Sequence, residues 1–178
     1  MKKIVEFAHD LLRSTGNAKV AIDFTLGNGN DLLVMEQMEH IEVLYGFDIQ
    51  QLAIQHSKEK INTNKEVHLI CDGHEHFDKF VINYDLGIFN LGYFPSGEKK
   101  ITTMCDTTMI AINKALKYLN KKGMLVLVCY IGHEEGKKEA SLIDELVTSL
   151  DAHYFQVVKI QMISSASAPY IYGIKKVR

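Results

Sequence analysis

Lys19-Val20-Ala21-Ile22-Asp23-Phe24-Thr25-Leu26-Gly27-Asn28-Gly29-Asn30-Asp31 decides how this chain folds. An apolar run closes on the carboxylate of Asp23, two glycines follow, and Leu32, Leu33, Met35 and Met38 then recur at helical spacing. The order reads strand, tight turn, helix. One glycine lets the turn take positive φ, and a second lets a ligand approach the main chain without meeting a Cβ. A second apolar run, Val43-Leu44-Tyr45-Gly46-Phe47, ends in Asp48, 21 positions after Gly27. Dinucleotide-type folds carry there the acid that holds a ribose.

A nicotinamide-binding turn requires a third glycine, and its position is occupied by Leu32. An acid at the strand end, four residues before a G-x-G, instead resembles the first motif of class I S-adenosylmethionine-dependent methyltransferases. A cofactor without a pyrophosphate does not need a helix N-terminus aimed at one. Gly132-His133-Glu134-Glu135-Gly136-Lys137-Lys138 has three residues between its glycines where a P-loop has four, and Lys138 stands where Ser or Thr must bind magnesium, so an ATPase reading fails. His74-Glu75-His76 lacks metal-binding spacing, because adjacent side chains point apart; no metal is expected.

The 178 residues, 47% hydrophobic and 24% charged, suit one soluble domain over 1–178. The longest apolar run, Met124 to Ile131, is far short of the roughly 20 residues a membrane helix needs. Lys2 and Lys3 are followed by only two apolar residues before Glu6, so no secretory signal is read and a cytoplasmic location is expected. Cys71, Cys105 and Cys129 form an odd set without C-x-x-C spacing, and Cys71 and Cys129 read as small core residues. A net charge of -2 excludes the broad basic footprint of a tight, sequence-independent nucleic-acid binder. Local patches such as Lys99-Lys100 and Lys137-Lys138 remain available to RNA phosphates.

In chain order, Ile4, Val5, Phe7, Ala8, Leu11 and Leu12 mark a covering helix closed by Gly16. After the first two strands, Gln50 to about Ile61 reads as a helix with Leu52, Ala53 and His56 on one face, and Glu66 to Cys71 as a short third strand. Asp85 to Asn90 is a fourth strand, and Ile101, Met104, Cys105, Thr108, Ile112, Ala115, Leu116 and Leu119 draw a long helix. Lys114, Lys117, Lys121 and Lys122 crowd its end, where they suit the macrodipole and a solvated face. Gly123 to Tyr130 is a fifth strand; Leu142, Ile143, Leu146, Val147 and Leu150 mark the last helix. Tyr154–Ile163 and Tyr170–Lys176 are too close in sequence for a helical crossover and should form an antiparallel hairpin. The expected fold is α/β and Rossmann-like: a mostly parallel seven-stranded sheet with a C-terminal antiparallel hairpin and helices on both faces.

Four motifs stand in this order: Asp23-x-Thr25-x-Gly27-Asn28-Gly29-x-Asp31; Gly46-Phe47-Asp48-Ile49-Gln50; Asn90-Leu91-Gly92-Tyr93-x-Pro95; and Tyr130-x-Gly132-His133-x-x-Gly136-x-x-Glu139. Together they resemble the rRNA methylase family, whose characterised branch is the bacterial YtqB/MnmM group. That resemblance implies methyl transfer from S-adenosylmethionine to 5-aminomethyl-2-thiouridine at the tRNA wobble position, giving 5-methylaminomethyl-2-thiouridine, with the tRNA anticodon loop as partner. It leaves a homodimer open. Two positions depart from the family pattern: Phe24, usually a small residue, and the loop from Ser164 to Pro169, usually rich in Asn and Gln before a double proline.

The expected cofactor site comprises Asp23, Thr25, Gly27, Asn28, Gly29, Asp31, Asp48, Ile49, Gln50, Asp72, His74 and Asn90. Asp23 is expected near the methionine end, Asp48 on the ribose, Ile49 and Gln50 beside the adenine, and Asp72 on its amino group. Asn90-Leu91-Gly92-Tyr93 resembles the Asn-Pro-Pro-Tyr loop of amino-group methyltransferases, which makes Asn90, Tyr93 and Asp23 the catalytic candidates. Gly92, Tyr93, Pro95, Tyr130 and His133 are the candidates for substrate contact. Two other readings stay open: a methyltransferase of the same fold acting on another RNA, a small molecule or a protein, and a non-catalytic cofactor-binding protein.

Overall fold

The computed structural model describes residues 3–92, 105–163, 165 and 167–178. Seven strands form one sheet in the order β3-β2-β1-β4-β5-β7-β6. They are β1 (Val20–Asp23), β2 (Val43–Phe47), β3 (Glu66–Ile70), β4 (Tyr84–Leu91), β5 (Leu119–Cys129), β6 (Phe155–Gln161) and β7 (Tyr170–Lys176). The first five run parallel, and β7 enters antiparallel between β5 and the edge strand β6. This is the class I methyltransferase sheet, with the expected hairpin.

Side-chain alternation along the central strands explains the layers. On β5, Leu125, Leu127 and Cys129 enter one core while Val126 and Val128 enter the other, all of them buried. One face is covered by α1 (Ile4–Arg13), α2 (Asn30–Glu36) and α3 (Gln51–Lys60), the other by α4 (Cys105–Tyr118), α5 (Glu134–Ser149) and the 3-10 helix His74–Lys79. Phe24 takes part in the second core. Its ring stacks on Phe89 with centroids 4.2 Å apart and meets Phe77 and Tyr84 edge-on. Gly87 makes the room, since a Cβ there would lie 2.9 Å from the Phe24 ring and 2.7 Å from Tyr84. The large residue at position 24 is thus a packing change. Full burial of such a ring contributes about 1.5–3 kcal/mol.

Several details differ from the sequence reading. Helix α1 ends at Arg13 with Ser14 as its C-cap, so Gly16 lies beyond the helix and does not close it. The inward face of α3 is Ala53, Ile54 and Ser57, and Leu52 is 41% exposed. Ser57 faces inward because it packs beneath the glycine turn, where its hydroxyl donates to Gly27 O at 3.4 Å. On α5, Leu142 is exposed, and the buried face is Glu139, Ala140, Ile143 and Val147. Leu119 opens β5 and does not continue α4, while Ile101 and Met104 lie outside the described residues. Cys129 is buried as expected; Cys71 is exposed, because it follows the end of β3 at the rim of the sheet. Lys114 does more than complement a dipole: its Nζ donates to Asp78 Oδ1 at 2.8 Å and to Glu75 O at 2.7 Å, fastening α4 to the 3-10 helix. Among the described residues no helix is long and apolar enough to cross a membrane.

Candidate active site

Strand order reverses direction at β1 and β4, and a cleft of about 710 Å³ opens at the carboxyl ends of the strands there. The turn after β1 forms its floor. Gly27 and Gly29 take φ of 48° and 74°, the left-handed region. At Gly29 an added Cβ would also come within 2.6 Å of Ser57 Oγ, so the turn can close on α3 only without a side chain.

Asp48 follows β2 directly. Its Oδ2 accepts from Gly27 N and its Oδ1 from Gln50 N, both at 2.9 Å, which aims the carboxylate at the turn and leaves lone pairs for further donors. Ile49 beside it lines the cleft while 55% exposed, a bare apolar side chain suited to a flat ring. Asp72 accepts from Gly73 N at 2.8 Å and from His76 at 2.9 Å, and the His76 bond holds its carboxyl below the usual range. His74 is buried with Nδ1 3.2 Å from Phe24 O, and burial lowers its pKa. The two histidines that flank Glu75 are therefore committed to separate partners, and among the described residues no group of three or more metal-ligating side chains is gathered.

Asp23 is fully buried beneath the turn and does not line the cleft. Its Oδ1 accepts from Thr25 N at 3.1 Å, and among the described residues its buried Oδ2 has no hydrogen-bond partner. Burial first, and the charge of Asp31 second, push its pKa well above the usual carboxylate range. Thr25 Oγ1 in turn accepts from Asn90 N at 2.7 Å. The Asn90 Nδ2 donates to Asp31 Oδ2 at 2.9 Å, and Asp31 Oδ1 lies 2.6 Å from His9 Nε2. His133 caps α5 by accepting Gly136 N on Nδ1 at 2.9 Å. That acceptor role leaves the ring proton to Nε2. Tyr130 is half-buried at the end of β5, and burial raises its pKa.

The cleft thus gathers Thr25, Gly27, Asn28, Asp31, Asp48, Ile49, Gln50, Asp72, His74, Asn90, Gly92, Tyr130 and His133. Gly29 shapes the turn from behind, and Tyr93 and Pro95 lie outside the described residues. Ser167 and Pro169, from the loop that departs from the family pattern, also reach the cleft. His9 was not legible as a site residue: it is one of several polar positions on a covering helix, and no spacing links it to Asp31.

Residues 44–175 match the family model described as Putative rRNA methylase. The chain belongs to this family. The match begins within β2, so the Asp23–Asp31 turn lies before it, but other relatives cover that segment too. The chloroplastic tRNA (mnm(5)s(2)U34)-methyltransferase of Arabidopsis thaliana is 33% identical over 186 residues, which span 96% of this chain and 68% of that protein. Two solved structures superpose over 99% of both chains: one described as a putative rRNA-methylase from Clostridium thermocellum, with TM-score 0.90 and 32% identity, and one described as a putative methyltransferase from Streptococcus mutans in complex with SAH, with TM-score 0.88 and 34% identity. In this chain the glycine turn and the acid after β2 stand at the carboxyl edge of the sheet, where α/β folds bind ligands.

Proposed function

We propose that this methyltransferase uses S-adenosylmethionine to methylate the amino group of 5-aminomethyl-2-thiouridine at the wobble position of tRNA. The observation that carries this reading is the 33% identity, over 96% of this chain, with a relative named for that uridine position. The residues fit the cofactor. A side-chain-free turn, the acceptors of Asp48 and Asp72 and the exposed Ile49 line a cleft of about 710 Å³, inside the range of small-molecule pockets. Asp48 would hold the ribose hydroxyls, Ile49 and Gln50 the adenine face, and Asp72 its amino group.

When bound, S-adenosylmethionine supplies an electrophilic methyl group on a sulfonium. The protein's share is to bind the amine neutral and in line, in a site that excludes water. A free alkyl ammonium has a pKa near that of lysine, about 10, so its neutral form must be favoured by burial or by acceptors. Asn90 stands near the end of β4, where its side-chain oxygen would accept an amine hydrogen, and Asp23 supports it through Thr25. Tyr130 and Ile131 wall the cleft on that side, and His133 offers a donor at its rim. Gly92, Tyr93 and Pro95 would shape the acceptor pocket around the base. We place the reaction in the cytoplasm, where the tRNA substrate would be found.

Nucleoside mass spectrometry of tRNA from a strain lacking this gene tests the proposal. The expected result is loss of 5-methylaminomethyl-2-thiouridine with accumulation of the 5-aminomethyl form; an unchanged nucleoside profile overturns it. Ser167 and Pro169 in the cleft favour one second reading, a different acceptor shaped by this loop. In that case the purified protein would bind S-adenosylmethionine yet leave the undermethylated tRNA unchanged.

A further inference from the structure

We propose that His9 is a positioning residue that acts through Asp31 on Asn90, holding the Asn90 amide with its oxygen toward the methyl acceptor. This rests on the amine-methylating reading above. The three side chains come from α1, the first turn of α2 and β4, and they form one continuous line: His9 Nε2 to Asp31 Oδ1 at 2.6 Å, Asp31 Oδ2 to Asn90 Nδ2 at 2.9 Å.

The chemistry of each link has one direction. A carboxylate has only acceptors, so the group it receives from Asn90 must be the NH2 end of the amide. Flipping the amide would set its oxygen against a carboxylate oxygen at hydrogen-bond distance. With the NH2 end committed to Asp31, the carbonyl oxygen is turned away from it, as an acceptor, while the backbone N–H of Asn90 is pinned on Thr25. Asp31 therefore decides which end of the amide an incoming amine meets. An amine that presents hydrogens to that oxygen has its lone pair directed elsewhere, which is the requirement for in-line attack.

Asp31 needs His9 to do this. Its side chain is 7% exposed, so its second oxygen has little access to water, and a buried acceptor left without a donor is costly. The imidazole, 17% exposed, supplies that donor from α1. Asp31 also acts electrostatically on Asp23 of β1, whose carboxyl its charge helps to push up, and on Tyr130 after β5, whose hydroxyl it also pushes up. Neither gives Asp31 a hydrogen bond here. Without His9 the carboxylate is free to turn toward another donor, and the amide is free to turn with it.

The test uses the full chain and tRNA purified from the gene-deletion strain, with initial rates of methyl transfer, SAH affinity by calorimetry and thermal denaturation for every variant. His9→Ala is expected to lower kcat about 10-fold, the scale on which small losses of alignment act, with KM for tRNA and SAH affinity nearly unchanged. His9→Gln, which keeps an N–H donor, should recover most of the loss. The double variant His9→Ala/Asn90→Ala should be no slower than Asn90→Ala alone, because His9 acts only through that amide. Wild-type turnover in His9→Ala, no recovery in His9→Gln, or multiplied losses in the double variant each overturn the proposal. If Asn90→Ala is slow while His9→Ala is normal, only the His9 assignment fails. Full activity in Asn90→Ala removes the amine-holding reading on which it rests.

Discussion

The two sides of the cleft are held in different ways. On the side built by β1 and β2, carboxylates are fixed by backbone N–H groups of the adjoining turns: Asp48 by Gly27 and Gln50, and Asp23, beneath the cleft floor, by Thr25. On the side built by β4, the polar group proposed to meet the acceptor is fixed by side chains from distant segments, Asn90 by Asp31 and Asp31 by His9. Backbone ties come with the turn itself, and in the proposed division they serve the cofactor. Side-chain ties can be exchanged without changing the fold, and in the proposed division they serve the acceptor.

That contrast predicts separable losses. Asp48→Ala removes an ionised acceptor and releases two turn N–H groups, so affinity for S-adenosylmethionine should fall about 100-fold or more by calorimetry, since each hydrogen bond to a charged group contributes about 1.5–3 kcal/mol. Asn90→Ala should leave that affinity nearly intact and lower kcat about 10-fold or more, because its bond is made as the acceptor is aligned. If the Asp48 variant binds normally, or the Asn90 variant loses affinity and not turnover, the division of labour is wrong.

A smaller effect tests the rigidity of the first side. Gly29→Ala forces a side chain into the left-handed region at a cost of about 1–2 kcal/mol, with Ser57 displaced as well. For a chain of this size that lowers Tm by about 2–4 °C for each kcal/mol. Unchanged Tm would show that the turn relaxes freely and is not held by α3.

Further from the cleft, Glu139 on α5 receives the Thr108 hydroxyl of α4 at 2.8 Å, and burial raises its pKa. A carboxyl whose folded pKa is raised contributes stability below its unfolded pKa and loses it as pH rises through the folded value. Glu139→Gln keeps the acceptor and removes the charge. It should therefore raise Tm at pH 8, with the gain shrinking toward pH 4, and a gain independent of pH would exclude this origin.

The smallest effect concerns RNA. With a net charge of -2, tRNA binding should depend only shallowly on salt, each phosphate contact adding ~0.7 to the slope of log K. A slope calling for six or more contacts would mean that the acceptor side extends over a basic surface much larger than Lys137-Lys138.

What was legible in the sequence follows the same division. The β1 turn, Asp48 and the hairpin were readable because short-range chemistry dictates them: glycines at positive φ, an acid at a strand end, a connection too short to cross over. The face of α3 was misread because its outward Leu52 carries more hydrophobic weight than its inward Ser57, which is buried by a turn 30 residues away. The 3-10 helix went unseen because six residues with one buried aromatic, Phe77, show no period. His9 and the orientation of Asn90 depend on three segments meeting in space. No pattern along the chain records such a meeting.

Strand β7 lies inside the sheet although it is made after the other six, and this bears on biosynthesis. When β5 has left the ribosome its outer edge is still bare, and Phe155–Gln161, which emerges next, does not pair with it. The proper partner begins at Tyr170, 41 residues beyond Cys129. At ~5–20 residues per second that leaves the edge open for about 2–8 s. Throughout that interval the nascent sheet presents Leu125 to Cys129 as a ready template for foreign strands. The chain's last insertion is the step that closes it.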